Sequence, residues 1–252
     1  MKNKSDSHTF AFFYTELKKN KDSFFTIEDR TMVDRIAKIV RLSVGEEILF
    51  FNANNAVLCV IESIEPRKIR VKMVQWMLPK KRECKVTVVL PLLKRVALEE
   101  AVYGCVEAGV DEIQLLETQK SRKKEQLGIL EKERLERIVI AACEQSKHFS
   151  MTQIKAPVAI DVFLSSVNSV KTKLLFADPE GIPLRDVLSS VRVEKKVTNL
   201  FVLVGPEGDL TMQEKKLVYF HGAQGVRLTP TILRAQQAAV VLSALVTACV
   251  FE

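Results

Sequence analysis

The sequence lacks the patterns that mark disulfide-stapled or zinc-binding proteins. Its five cysteines are scattered and odd in number, and none belongs to a C-x-x-C pair. The histidines, His8, His148 and His221, lie far apart along the chain, so we expect no metal site. Scattered free cysteines fit a reducing compartment, which predicts a cytoplasmic protein.

No stretch predicts a membrane span or a secretory signal. The start, MKNKSDSHTF, has no apolar core of the kind that signal peptides carry. The longest apolar stretch, AAVVLSALVTACVF at 238–251, is too short to cross a bilayer. We therefore interpret it as a helix that is buried on most sides, either inside its own domain or against a second subunit, which would make a homodimer.

The chain does have enough apolar material for one large domain or two ordinary ones. It has 252 residues, of which 47% are hydrophobic and 27% charged, as in soluble globular proteins. Lysine and arginine number 38 against 31 acidic residues, a formal net charge of +7. This balance favours a polyanionic partner such as a nucleic acid, although charge alone does not identify one.

Residues 1–77 predict a small β-rich domain. Two apolar runs separated by NANNA, in EEILFFNANNAVLCVIESI, are typical of a β-hairpin. RKIRVKMVQWM alternates basic and apolar side chains, which predicts a strand with one buried and one positive face. A short helix in DRTMVDRIAKIVRLSVGEE ends near Gly45. Together these segments predict a small barrel or sandwich with one helix.

The charged, proline-containing stretch LPKKREC at 78–84 predicts a linker to a second domain over 85–252. In that domain helical patterns alternate with strand patterns in KVTVVLPLL, DEIQLLET, TKLLFAD, TNLFVLVG and QGVRLT. Such alternation predicts the α/β class, with right-handed crossovers and a mostly parallel sheet covered by helices on both faces.

The stretch FVLVGPEGDLTMQE at 201–214 places a turn at the end of an apolar strand. Gly205 and Gly208 bracket Pro206 and Glu207 there, and ligands of open α/β sheets bind beyond the carboxyl ends of the strands. Glycines let the main chain approach a ligand closely, and the T-x-x-E that follows predicts a helix start at Thr211. The turn matches neither a phosphate loop nor G-x-G-x-x-G. A tight turn with no ligand is the alternative.

Two further strand ends carry loops. VRLTPTILRAQQAAV predicts a short strand, a Thr-Pro-Thr turn and a long helix with Arg234 in its first turns. Because the helix dipole disfavours a cation there, Arg234 either faces solvent or points at an anionic or electron-rich ligand. FADPEGIP at 176–183 predicts a third loop. Three loops at one sheet edge would enclose a nucleotide-like cofactor.

VGPEGDLTMQE, followed by VRLTPTILRAQQAA, resembles the paired signature of the RsmE family. These are SPOUT-superfamily methyltransferases that modify N3 of a uridine in 16S ribosomal RNA of the small subunit. LLKRVALEEAVYGCVEAGVDEIQLLETQKS and ERLERIVIAACEQS resemble two further segments of that family. The resemblance covers essentially the whole chain; it is strong over 90–150 and 200–245 and weak in the N-terminal part.

The resemblance implies an N-terminal PUA-like RNA-binding barrel, a C-terminal α/β domain with a trefoil knot, and a homodimer. It implies S-adenosylmethionine bound in the knot, with contacts from Ala177, Asp178, Val204, Gly205, Pro206, Glu207, Gly208, Leu228, Ile232 and Leu233. It gives Arg234 the catalytic role of orienting and polarising the target base.

Basic side chains beside an RNA-binding domain are expected to contact phosphates. For the N-terminal part these are Arg67, Lys68, Arg70 and Lys72, extended by Lys80, Lys81 and Arg82. For the C-terminal part they are Lys94 and Arg95. The alternative is a solvated charged face.

The chain departs from the family pattern beside the proposed reaction centre. Where the family usually has Thr-Glu-Thr, this chain has Ala235, Gln236 and Gln237, and Asp209 replaces a usual glycine of the glutamate turn. A glutamine replaces a glutamate as a hydrogen-bonding group but not as a base. Two alternatives therefore stay open: a weakly active or inactive rRNA-binding relative, or a SPOUT methyltransferase with another RNA target.

Overall fold

The structure is a computed structural model, and it describes residues 9–18, 23–77, 83–167, 171–193 and 197–250, except for the side chains of 189–193. The chain separates into two compact units, Met1–Lys80 and Lys81–Glu252. Most of the predicted linker, with Lys80, Lys81 and Arg82, lies outside the described residues, as does His8.

The first unit is β-rich. Its described elements are β1 Phe10–Phe13, β2 Phe24–Ile27, α1 Arg30–Asp34, β3 Glu47–Phe51, β4 Ala56–Glu65 and β5 Lys68–Met77. The strands lie in the order β1-β3-β4-β5-β2. β1 runs parallel to β3, and the other neighbours are antiparallel.

The hairpin predicted around NANNA is confirmed as β3 and β4. The side-chain oxygen of Asn52 accepts hydrogen bonds from the backbone N–H groups of Asn54 and Asn55, both at 3.0 Å. Such asparagine-centred bonds close a turn locally, which is why the signal is readable from sequence. The alternation in β5 is also confirmed, because Ile69 and Val71 are buried while the basic residues between and beside them are exposed.

The short helix was predicted to end near Gly45, and this was wrong. A π-helical turn over Arg35–Val40 continues α1 and ends at Arg41, which adopts the left-handed conformation at φ 61°. The Arg41 N–H bonds to the carbonyl of Ile36, so the helix closes on itself there. Gly45, at φ 90°, instead serves the turn into β3.

The second unit is an α/β structure. Its first half contains β6 Lys85–Pro91, α2 Arg95–Glu107, β7 Glu112–Glu117, α3 Ile129–Ser146, β8 Gln153–Ala159 and α4 Ile160–Ser166. Its second half contains β9 Thr172–Pro183, α5 Leu184–Val193, β10 Asn199–Leu203, α6 Met212–Phe220, β11 Gln224–Arg227 and α7 Ala235–Val250. Six described strands lie in the order β11-β9-β10-β6-β7-β8, and all their described pairings are parallel. The predicted mostly parallel sheet is confirmed.

Helices cover both faces of this sheet, as predicted. On one face α4 and α6 contact each other, and Phe163 and Val218 pack against Val89, Phe176 and Leu203 of the strands. On the other face α7 contacts α2, β6 and β10. No helix among the described residues combines the length and the apolar character needed to cross a bilayer.

Three elements of the second unit were not predicted: β8, α4 and α5. β8 lies at an edge of the sheet, and its Pro157 falls at the register break between the pairs Gln114–Lys155 and Leu116–Val158, where a proline is tolerated. Its residues are all partly or fully exposed, so the segment lacks the apolar run that identifies a central strand.

The predicted loop at 176–183 is instead the second half of strand β9. Its register against β11 is broken, however: Phe176 pairs with Gly225, and the next β11 residue, Val226, pairs with Ile182. Residues 177–181 therefore form a bulge with no partners in the β11 register, although Gly181 still lies close to the backbone of Gly225 and Val226. Both ends of this bulge stay paired in the sheet.

Candidate active site

A cavity of about 640 Å³ lies in the second unit, at the carboxyl ends of β10 and β11 and at the bulge of β9. Its walls come from the bulge of β9, the turn after β10 and the segment that joins β11 to α7. β9 is the sheet neighbour of both β10 and β11, so parallel pairing brings these three segments to one edge. The start of α2 forms a further wall.

The structure brings most of the predicted site residues together here. The cavity is lined by Ala177, Asp178, Val204, Gly205, Pro206, Glu207, Leu228, Ile232, Leu233 and Arg234. Gly208, also predicted as a cofactor contact, is not among the lining residues, whereas Lys94 is and its neighbour Arg95 is not. The remaining predicted RNA contacts, Arg67, Lys68, Arg70 and Lys72, belong to the first unit.

The carboxylate between the two glycines fixes the turn after β10 to a distant helix. An oxygen of Glu207 accepts a hydrogen bond of 3.0 Å from the backbone N–H of Lys94, the residue that precedes α2. The Gly208 carbonyl accepts a bond of 2.8 Å from the Lys120 ammonium. The predicted helix start is confirmed, because Thr211 and Glu214 form both bonds of a capping box.

Asp209 adopts the left-handed conformation, at φ 58°, where a glycine was expected from the family pattern. Aspartate tolerates this region better than most residues because its short side chain bonds locally. Here one carboxylate oxygen accepts the Leu210 N–H at 2.7 Å, and the other lies 2.8 Å from the Lys215 ammonium. These contacts hold the turn in place although Asp209 stands where the family pattern has a glycine.

Asp178 is a buried carboxylate in the cavity wall, with only 5% of its surface exposed. It accepts the Tyr219 hydroxyl at 2.7 Å and the Glu180 N–H at 3.0 Å, and the Lys215 ammonium lies 3.9 Å away. Burial and the Asp178 hydrogen bond raise the pKa of Tyr219. Burial opposes the charge of Lys215, but Asp209 and Asp178 still raise its pKa, so a cation stays beside this carboxylate.

Arg234 was predicted in the first turns of the last helix, but it precedes that helix. α7 begins at Ala235, and the Arg234 carbonyl accepts the Ala238 N–H at 2.8 Å, so Arg234 is the N-cap residue. Its side chain is exposed and lines the cavity, with no hydrogen bond or ion pair inside the described part of the chain. The guanidinium is therefore available to a ligand.

The Ala-Gln-Gln segment faces partly into the protein. Ala235 and Gln236 are buried and Gln237 is exposed. The Gln236 amide donates a hydrogen bond of 3.3 Å to Glu100 on α2, and both residues line the cavity. The sequence interpretation missed Glu100, because the helical pattern of α2 identifies its buried face and nothing local marks a polar residue beside it.

The cavity fits a nucleotide-like cofactor. Its volume lies within the roughly 300–1,000 Å³ of small-molecule sites, which combine apolar walls with a few polar groups. Ala177, Leu228 and Ile232 supply apolar surface, and Asp178 and the main chain at Gly205 supply polar groups. No group of three or more metal-ligating side chains lies together within the described ranges.

Residues 80–247 match the family model described as the RNA methyltransferase domain. The chain is 25% identical over 212 residues to ribosomal RNA small subunit methyltransferase E of Rickettsia conorii, covering 82% of this chain and 83% of the relative. It is 27% identical over 206 residues to the protein of the same name from Aquifex aeolicus, covering 81% and 86%.

Solved structures share the fold. A ribosomal RNA small subunit methyltransferase E from Neisseria gonorrhoeae, crystallised with S-adenosyl methionine, superposes with a TM-score of 0.77 at 21% identity. The match covers 96% of this chain and 98% of that one. A probable rRNA methyltransferase from Porphyromonas gingivalis gives a TM-score of 0.75 at 20% identity, over 96% and 98% of the two chains.

Proposed function

Because the chain belongs to the RNA methyltransferase domain family, we propose that it methylates N3 of a uridine in 16S ribosomal RNA, with S-adenosylmethionine as methyl donor. One observation carries the proposal: the cavity at the carboxyl edge of the sheet is lined by all three segments that the sequence singled out, and by Arg234, which has no ion pair within the described residues. The relatives named ribosomal RNA small subunit methyltransferase E support the choice of substrate.

The bound sulfonium supplies an activated methyl group, so the protein contributes positioning and electrostatics. Ala177, Leu228 and Ile232 would pack on the cofactor, and the turn at Gly205 would present main-chain groups to it. Loss of the N3 proton leaves negative charge on the base oxygens. Arg234, at the cavity wall, would stabilise that charge and orient the base.

We also propose the finer architecture that the resemblance implies. The first unit would be a PUA-like RNA-binding barrel, which its five described strands and the positive face of β5 support. A trefoil knot is part of the proposal through the family resemblance alone. A homodimer is supported by apolar surface on α7, where Leu245 is 42% exposed. A boundary within 78–84 and a cytoplasmic location remain part of the proposal.

A second candidate is an rRNA-binding relative that methylates poorly. The observation that favours it is Gln236, which stands where the family pattern has a glutamate and donates an amide hydrogen to Glu100 instead of offering a carboxylate of its own. A methyltransferase with another RNA target is a third candidate. The same experiment separates all of them.

The test combines cofactor binding with product mapping. Calorimetry should detect S-adenosylmethionine binding to the purified chain. Small ribosomal subunits from cells that lack the gene should then gain 3-methyluridine in 16S rRNA, as seen by nucleoside mass spectrometry, while large subunits in the same reaction stay unmodified. A folded protein with no heat of binding would favour the rRNA-binding candidate, and a methyl group elsewhere would favour the other target.

A further inference from the structure

Four carboxylates line the cavity: Glu100, Asp178, Glu207 and Asp209. Both oxygens of Asp178 and both oxygens of Asp209 already have partners. Glu207 and Glu100 each have one bonded oxygen and, within the described residues, one without a partner. Among the four, these two carboxylates alone offer an oxygen that has no partner within the described residues.

Glu100 is the better placed of the two for chemistry on a base. Its Oε2 accepts the amide of Gln236, which follows Arg234 by two residues, so carboxylate and guanidinium stand at the same end of α7. Gln236 is buried, and its amide N–H is held against the Glu100 carboxylate, which leaves Oε1 as the oxygen that faces a ligand. Glu207 instead belongs to the turn after β10 and accepts a hydrogen bond from the backbone N–H of Lys94, just before α2.

We propose that Glu100 is a catalytic residue that accepts the N3–H of the target uridine at Oε1, an inference that rests on the proposed function. As the N3–CH₃ bond forms, the N3–H bond breaks and its electron pair stays on nitrogen. The proton passes to Glu100 and then to solvent, because this side chain is exposed. The methyl comes from the sulfonium donor, whose sulfur keeps the bonding pair of the broken S–C bond, so atoms and electrons balance.

In this role, Glu100 would compensate for the departure from the family pattern at Gln236. Gln236 supplies an amide where the family pattern has a glutamate. The carboxylate of Glu100, on α2, accepts a hydrogen bond from that amide. Exchanging the two groups should therefore preserve function better than losing the carboxylate. The double variant Glu100→Gln/Gln236→Glu keeps one carboxylate and one amide in the same pair.

The first test is turnover on small subunits that lack the modification. Glu100→Gln should lower turnover by about 10²-fold, the usual contribution of a general base, with S-adenosylmethionine affinity unchanged by calorimetry. The exchanged double variant should recover part of the loss. Glu107→Gln, on an exposed residue of the same helix away from the cavity, should behave as wild type.

The loss in Glu100→Gln should also shrink at alkaline pH, because uridine N3 then ionises without a base. The other charged groups of the cavity are Lys94, Asp178, Glu207, Asp209, Arg227 and Arg234. On α2 itself Glu99 pairs with Arg95 and Arg134 and does not line the cavity. A structural defect would persist at every pH.

A binding measurement without methyl donor gives an independent readout. Filter binding should show that wild type prefers unmodified 16S rRNA to the fully methylated product, because a methylated N3 has no proton to donate to Glu100. The preference should disappear in Glu100→Leu. An equal preference in both proteins would overturn the assignment.

Failure of this inference differs from failure of the proposed function. If wild type methylates and Glu100→Gln keeps full activity at neutral pH, Glu100 is not the proton acceptor. If Glu207→Gln alone shows the loss that recovers at alkaline pH, the role belongs to Glu207 and the assignment is wrong. A wild-type chain that transfers no methyl group to RNA would overturn both proposals together.

Discussion

The hydroxyl of Tyr219 donates a hydrogen bond of 2.7 Å to the Asp178 carboxylate and so fixes α6 to the wall of the candidate active site. Asp178 is buried, while Tyr219 is 42% exposed. The contact therefore joins a surface helix to the bulge in β9, whose register against β11 is broken. Because the β9–β11 ladder is interrupted here, the hydrogen bond between Tyr219 and Asp178 helps to hold this wall in place.

Replacing Tyr219 with phenylalanine removes that donor and leaves a buried carboxylate short of one partner. Tyr219→Phe should destabilise the protein by about 1–2 kcal/mol, as expected for a hydrogen bond to a charged acceptor, and weaken S-adenosylmethionine binding. Urea unfolding and calorimetry measure the two effects. Tyr103→Phe is the matched control, since no hydrogen bond of the Tyr103 hydroxyl exists within the described residues. Unchanged stability in Tyr219→Phe would mean that water replaces the hydroxyl.

The same contact shows what sequence alone could predict. The T-x-x-E capping box and the alternation in β5 are local patterns, and both were predicted correctly because each depends on neighbours a few residues away. The bond between Asp178 and Tyr219 joins residues 41 positions apart, and that between Glu100 and Gln236 joins residues 136 positions apart. No periodicity encodes such pairs, because the fold must be known before they meet.

The boundaries of β9 were unpredictable for a related reason. PEGIP has the composition of a turn, yet Ile182 and Pro183 pair with Val226 and Arg227 of β11. That pairing becomes possible only because Gly181 lets two backbones approach closely. The single residues of PEGIP favour a turn, but the tertiary pairing with β11 makes the segment part of a strand.

Gly181 provides a direct test of that close approach. A Cβ there would stand 2.5 Å from both the Gly225 carbonyl carbon and the Val226 nitrogen, which are backbone atoms. Gly181→Ala should therefore cost about 2–3 kcal/mol, as overpacking does, and should weaken cofactor binding through the displaced bulge. Thermal unfolding and calorimetry are the measurements. At Gly128 a Cβ meets nothing within 4 Å, so Gly128→Ala should cost less than about 1 kcal/mol.

The ion pair between Arg122 and Glu131 should make stability fall in acid. Its two hydrogen bonds measure 2.7 and 2.9 Å, and the Arg122 hydrogen bond lowers the pKa of Glu131 from its ordinary value of 4.5. A lowered pKa in the folded state stabilises the fold above pH 4.5, and the gain disappears as pH falls further. Glu131→Gln should lose about 1 kcal/mol at neutral pH and show a shallower decline in acid.

Urea unfolding at a series of pH values measures that slope. Glu133→Gln is the control, because Glu133 lies on the same helix, is exposed and makes no ion pair in the described structure. Identical slopes for wild type and Glu131→Gln would contradict the prediction.

The exposed basic face of β5 should contact RNA phosphates. Lys68, Arg70 and Lys72 share that face, and Arg70 is held over the Phe24 ring at 4.8 Å. Lys72→Ala should weaken 16S rRNA binding and reduce the slope of log affinity against log salt by about one, with cofactor affinity unchanged. Filter binding across a salt series measures it. Lys38→Ala, which removes a lysine paired with Asp34 in the same unit, should leave the slope unaltered.

Arg234 is the residue on which the catalytic proposal depends most directly. It is the N-cap of α7 and lines the cavity, and its guanidinium has no ion pair within the described residues. We therefore expect it to stabilise the negative charge that develops on the base. Arg234→Ala should lower turnover by about 10²–10³-fold, the range for losing a donor to developing negative charge. Its S-adenosylmethionine affinity should change far less. The turnover of Arg234→Lys should lie between those of wild type and Arg234→Ala, because lysine keeps the positive charge but lacks the planar guanidinium group.

Single-turnover kinetics on unmodified small subunits, with calorimetry for the cofactor, separates the two effects of Arg234. Arg185→Ala is the matched control, because Arg185 is an exposed arginine of the same unit that does not line the cavity. Equal losses of turnover and cofactor affinity in Arg234→Ala would show that Arg234 mainly holds the cofactor. The charge on the base would then have to be stabilised by another cation of the cavity, Lys94 or Arg227.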